Sequence, residues 1–215
     1  KAIVQSNELS ALSAERIWQE LARGFISNKP MRMFQVLLDT GAAKALLPSV
    51  FAVNLAKEEY RELLIAHLHT ADSRLDDRCA VSLMYLSASE IRSWSEHVRM
   101  PNEIRDFSEI FSELYWLIEN SAKAKNGALQ PTDVLTWFNR ADVWRKPDRG
   151  HALLNLAEKI GFTVAPLIIA MRDAQALNTA DIIAGVAAQD RSNGERIGSA
   201  FEVARLAAIT AALQT

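Results

Sequence analysis

A chain of 215 residues, 49% hydrophobic and 23% charged, can bury a core of its own, which excludes disorder and fits one extended helical domain or two small ones. A formal net charge of −2 excludes the overall basic field of a dedicated nucleic-acid binder, so any nucleic-acid contact has to come from a local patch. The single cysteine, Cys79, excludes an internal disulfide and suits a reducing cytoplasm, and the apolar run 164–171 ends at Arg172, too short to span a membrane. Residues 1–6 carry neither a signal pattern nor an initiating methionine, and the chain is expected to begin inside a longer protein.

The first clear helix opens at Leu12-Ser13-Ala14-Glu15-Arg16-Ile17, with Ser13 as N-cap, Glu15 in the first turn, and Ile17, Trp18, Leu21 and Phe25 inward. A polar loop, Ser27-Asn28-Lys29-Pro30, precedes a helix that carries Phe34, Leu37 and Leu38 and stops at Gly41, and Pro48 ends a short helix over 42–47. The spacing predicts a helix over 57–69 with Tyr60, Leu63, Leu64, His67 and Leu68 on one face, then another over 75–86. Ser87 to Glu90 reads as a cap before Ile91, Trp94 and Val98.

Met100-Pro101-Asn102-Glu103-Ile104-Arg105-Asp106 then launches a long central helix whose stripe of Ile104, Phe107, Phe111, Leu114 and Ile118 is expected to anchor its neighbours. Residues 123–127 are the best linker. Pro131-Thr132-Asp133 starts the next helix, Gly161 closes the one after it, and Asn178 and Thr179 restart the chain toward an Ala-rich terminal helix. No stretch alternates with period two for long enough to demand a sheet, so the fold class is all-α, an elongated multi-helix array.

Motifs for chemistry are sparse. The eight glycines are scattered without a Gly-x-Gly, which removes a phosphate-cradling loop, and no Asp-x-Asp pair is present for two-metal phosphoryl chemistry. His67 and His69 point about 200° apart on a helix and lack further ligands, so neither they nor any other residues are assigned to a metal, and no catalytic residue is assigned. Trp18, Trp94, Trp116 and Trp137 read as core. Trp144 keeps different company, in a compact basic cluster with Arg140, Arg145, Lys146 and Arg149, where Asp142 and Asp148 offset part of the charge.

The segments opening at Leu12, Arg99, Asp142 (Asp142-Val143-Trp144-Arg145-Lys146-Pro147) and Gly194 (Gly194-Glu195-Arg196-Ile197-Gly198, running on through Ala204 to Ile209) follow one another in an order that resembles the C-terminal half of the bacterial tRNA nucleotidyltransferase and poly(A) polymerase family, the class II CCA-adding enzymes. The resemblance implies helical neck, body and tail regions, here 1–56, 57–126 and 127–215, that hold tRNA or another RNA 3′ end for an N-terminal catalytic head. The head's Gly-Gly loop, Asp-x-Asp pair and Glu-Asp-x-x-Arg segment are not in these residues, so ATP or CTP and Mg²⁺ are expected to belong to that head. This chain alone is expected to be inactive, in the cytoplasm, with no cofactor and neither a membrane nor DNA as partner.

Within the resemblance, Glu15 and Arg16 support the nucleotide pocket, and Arg99, Arg105, Arg140, Trp144, Arg145, Lys146, Arg149, Arg196 and Arg205 are the RNA-binding candidates. Some members of the family carry a phosphohydrolase His-Asp metal pair where this chain has Met84 and Tyr85, neither of which replaces the ligands. The competing readings are a helical protein-interaction scaffold and, behind it, a degenerate phosphohydrolase of that His-Asp type.

Overall fold

The computed structural model describes residues 13–124 and 127–214. Leu12, residues 1–6, and Lys125 and Asn126 of the expected linker lie outside the described residues. All regular structure among the described residues is helical, with no strand, as the sequence predicts. The chain divides into two compact units, residues 1–116 and residues 117–215.

The first unit is built from α1 (Ala14–Phe25), α2 (Pro30–Thr40), α3 (Ala43–Leu46), α4 (Ser49–Leu55), α5 (Glu58–Thr70), α6 (Leu75–Leu83), α7 (Ala88–Val98) and the first part of α8 (Asn102–Lys123). Local chemistry sets the ends of these helices. Ser13 accepts a hydrogen bond from the Arg16 amide at the start of α1. Gly41 takes the left-handed conformation, φ 79°, that closes α2. Ser87 and Glu90 form a reciprocal capping box on α7. Helix α6 stops at Leu83, three residues before the expected end at 86.

Phe25, Phe34, Leu55, Leu64, Leu83 and Ile91 are fully enclosed, and α1 packs on α2, α6 and α7. Aromatic rings run edge to face through the unit, Phe25 to Phe34 to Phe51 to Tyr60 to Tyr85 to Tyr115 to Trp116, with centroids 5.0 to 6.2 Å apart. Met84 is fully buried and Tyr85 sits within this row, so both side chains belong to the packing of this unit.

Three expectations fail here. Trp116 is 37% exposed rather than core, its indole NH donating to the Leu86 carbonyl at 3.4 Å. Leu63 is 45% exposed, because α5 turns only Leu64 and Leu68 fully inward. On α8 the enclosed face is Ile110, Phe111 and Leu114 with the polar Ser108, Glu109 and Ser112, while Ile104, Phe107 and Ile118 are half-buried. Ser112 reaches that face because its hydroxyl donates to the Leu86 carbonyl left open where the chain turns toward α7.

The second unit contains the end of α8, α9 (Pro131–Ala141), α10 (Pro147–Lys159), α11 (Ala165–Gln175), α12 (Thr179–Gly185), a 3₁₀ turn at Ala188–Asp190 and α13 (Gly194–Leu213). Helix α13 packs along α11 and also meets α9 and α12. Pro131 and Pro147 each occupy a first helical turn, where the missing amide is not needed. Asn178 caps α12 and Asn193 caps α13 through their side-chain carbonyls. Val134, Phe138, Leu153, Leu154, Leu167 and Met171 form the core.

Candidate nucleic-acid interface

In the first unit, the residues singled out from sequence fall into two contacts. Arg99 follows α7 in the left-handed conformation, φ 57°, and its Nε stands 4.0 Å from the Glu15 carboxylate on α1. A proposed pocket-support residue and a proposed RNA contact are thereby brought together, both largely exposed. Arg16, beside Glu15, is exposed.

Arg105 turns the other way. Its Nε lies 3.6 Å from Glu109, whose carboxylate is fully enclosed and accepts two hydrogen bonds from Arg92 on α7, from Nε at 3.1 Å and Nη2 at 2.7 Å. This bidentate fork holds α8 to α7. The Arg92 guanidinium is held above its ordinary pKa, first by that hydrogen bond and then by the charge of Glu109.

In the second unit, the turn between α9 and α10 organises the basic cluster. Asp142 closes α9 with φ 58° and accepts a hydrogen bond from Arg145 Nε at 2.8 Å. That bond foremost, with the charges of Arg145, Lys146 and Arg149, holds the Asp142 carboxyl below its usual range against the opposing effect of desolvation. Trp144 donates its indole NH to Asn139 Oδ1 at 2.6 Å and meets Phe138 edge-on at 5.9 Å.

Arg205, one turn from Phe201 on α13, lays its guanidinium 4.0 Å from the centre of the Trp144 ring. Burial pulls Arg205 below its ordinary pKa, yet a guanidinium stays charged. The structure thus joins Trp144 to Arg205 beside a recess of about 330 Å³ that Val143, Gln175 and Phe201 also line. Lys146 and Arg196 are exposed, and Arg140 and Arg149 are half-buried.

Among the described residues no group of three His, Cys, Asp or Glu side chains is arranged to hold a metal. Among the described residues no helix is long and apolar enough to cross a membrane. Sequence reasoning missed a second concentration of charge in the first unit, where Lys29, Arg32, Arg61 and Arg78 line a recess of about 580 Å³. Its members come from three helices and the loop before α2, so no local spacing signals it.

Comparison with known proteins agrees with the resemblance read from sequence. Residues 2–53 match a family model described as the probable RNA and SrmB-binding site of polymerase A. The multifunctional CCA protein of Herminiimonas arsenicoxydans is 27% identical over 99% of this chain and 60% of its own length. That of Leptothrix cholodnii is 29% identical over 97% and 58%, and the CCA-adding enzyme of Pseudomonas putida is 26% identical over 98% and 55%. The chain therefore spans somewhat over half the length of these relatives. No solved structure gives a significant match. With nearly its whole length aligned to CCA proteins and its first helices matched to a polymerase RNA-binding model, the chain is similar to a C-terminal region of the tRNA nucleotidyltransferase family.

Proposed function

We propose that this chain is the RNA-holding part of a CCA-adding or poly(A)-adding nucleotidyltransferase, acting in the cytoplasm. It presents an RNA 3′ end, that of tRNA foremost, to a catalytic head outside these residues, where ATP or CTP and Mg²⁺ act. One observation carries the reading: relatives named as CCA proteins align along 97–99% of the chain, and residues 2–53 match a model named for RNA binding.

The chain's contribution is position. Cations fixed on packed helices hold a phosphate backbone in register, and an RNA end held at a set distance meets the reacting group without a bimolecular search. Lys146 and Arg196, exposed at the starts of α10 and α13, and Arg16 on α1 are the freest of the candidate contacts. Arg145, paired with Asp142, adds less charge to such a surface than its sequence position implies.

The test is a titration of the purified chain with a tRNA acceptor minihelix at two salt concentrations. Binding at low salt that weakens as salt rises is expected, each neutralised phosphate steepening the log–log slope by about 0.7 to 0.9. No binding at low salt overturns the reading. A protein-binding scaffold is then favoured, with Val50 and Val53, 43% and 62% exposed on α4, as its apolar contact.

A further inference from the structure

In the first unit, α2 packs on α5 and α5 on α6, and together they enclose the recess of about 580 Å³. Its lining separates into two parts. Val36 and Ile65, 49% and 37% exposed, form an apolar bed with Leu68 beneath them. Lys29, Arg32, Arg61 and Arg78 supply four permanent positive charges around it, against one carboxylate, Asp39, which already accepts a hydrogen bond from Gln35 at 2.7 Å.

Among the described residues no carboxylate pairs with the cations of this recess, in contrast to many arginines elsewhere. Arg23, Arg74, Arg92, Arg99, Arg145 and Arg172 each face a carboxylate. Arg61 instead donates to the carbonyls of Leu55 and Ala56 at 2.9 and 3.0 Å, closing the end of α4. Lys29 and Arg32 are exposed and enter no ion pair among the described residues.

Arg78 is the most telling. It is only 9% exposed, its Nη1 donates to the carbonyls of Phe25 and Ser27 at 2.8 and 2.6 Å, and its Nε is buried without a hydrogen-bond partner. An enclosed guanidinium held by carbonyls, with no counter-charge among the described residues, is unfavourable as it stands, and an anion entering the recess supplies what is missing.

We infer that this recess binds a 5′-phosphorylated nucleoside, its phosphate at Arg78, Lys29 and Arg32 and its base over Val36 and Ile65. The inference rests on the RNA-holding reading for its ligand class. The α2 side of the recess lies within the residues matched to the RNA-binding model, and a nucleotide combines a compact anion with a flat, largely apolar face as the two-part lining requires. Either a free mononucleotide or a nucleotide of the held RNA carries this chemistry.

The test is calorimetric titration of the full chain with 5′-AMP, adenosine and inorganic phosphate, beside the double variant Lys29→Ala/Arg32→Ala. Both side chains are exposed, so the variant keeps its fold, which its unfolding midpoint checks. AMP is expected to bind more tightly than adenosine or phosphate, and the double variant to weaken it by about tenfold while Lys44→Ala, an exposed cation outside the recess, leaves it unchanged. AMP that binds no better than adenosine, or that ignores the double substitution, overturns the site. In a second arm AMP competes against the bound minihelix: displacement assigns the recess to an RNA nucleotide, and retention assigns it to a free mononucleotide. Minihelix binding without any AMP binding removes the recess and leaves RNA holding intact, whereas AMP binding without minihelix binding removes RNA holding and leaves a mononucleotide site.

Discussion

Glu109 ties two helices of the first unit together. Its carboxylate is fully enclosed, held by Arg92 in two hydrogen bonds and approached by Arg105 at 3.6 Å. Truncating it strands the half-buried Arg105 guanidinium against a vacant volume, and Glu109→Ala is expected to lower unfolding stability by about 2–4 kcal/mol, read as a shift of the urea midpoint. His67 makes a second residue-scale prediction. Burial depresses its pKa below the ordinary 6.5, so on acidification the unfolded chain takes up a proton that the folded chain declines. The stability this group contributes is whole above pH 6.5 and is lost as the pH falls from there through the depressed value. Urea midpoints measured across that window are expected to fall with pH, and His67→Gln to flatten the slope.

At the scale of elements, the close fit of α10 depends on Gly150. A Cβ there meets Val143 Cγ1 at 2.7 Å and Met171 Sδ at 2.9 Å. The methionine can swing aside, whereas the β-branched valine cannot, so Gly150→Ala is expected to destabilise the second unit by about 1–2 kcal/mol in chemical unfolding despite alanine's better helix propensity. Helix existence and ends were legible in the sequence wherever a cap declares itself, as at Ser13, Gly41, Ser87 and Asn178. Which face of a helix is enclosed was less legible. On α8 the periodicity of Ile104, Phe107 and Ile118 points to one stripe, yet Arg92 from α7 and the Leu86 carbonyl draw Glu109 and Ser112 inward, and no local pattern records such long-range partners. The candidate site divided in the same way: the Trp144 cluster is contiguous and was found, whereas the recess at Arg78 is assembled from residues up to 50 positions apart and was not.

For the whole molecule, the proposed RNA-holding role leads to one expectation about activity. Incubated with labelled ATP or CTP, Mg²⁺ and a tRNA lacking its terminal residues, this chain is expected to leave the RNA unextended while still retarding it on a low-salt gel; incorporation of label contradicts the holding role. The same chain carries its own optical reporter of unfolding. All three of its tyrosines, Tyr60, Tyr85 and Tyr115, stand consecutively in the edge-to-face row that ends at Trp116. Rings this close pass excitation from tyrosine to the indole, so the native protein is expected to show little tyrosine emission, which a fluorescence spectrum checks. The return of that emission marks the moment the row breaks, and it reports on residues 1–116 alone because no tyrosine lies beyond them.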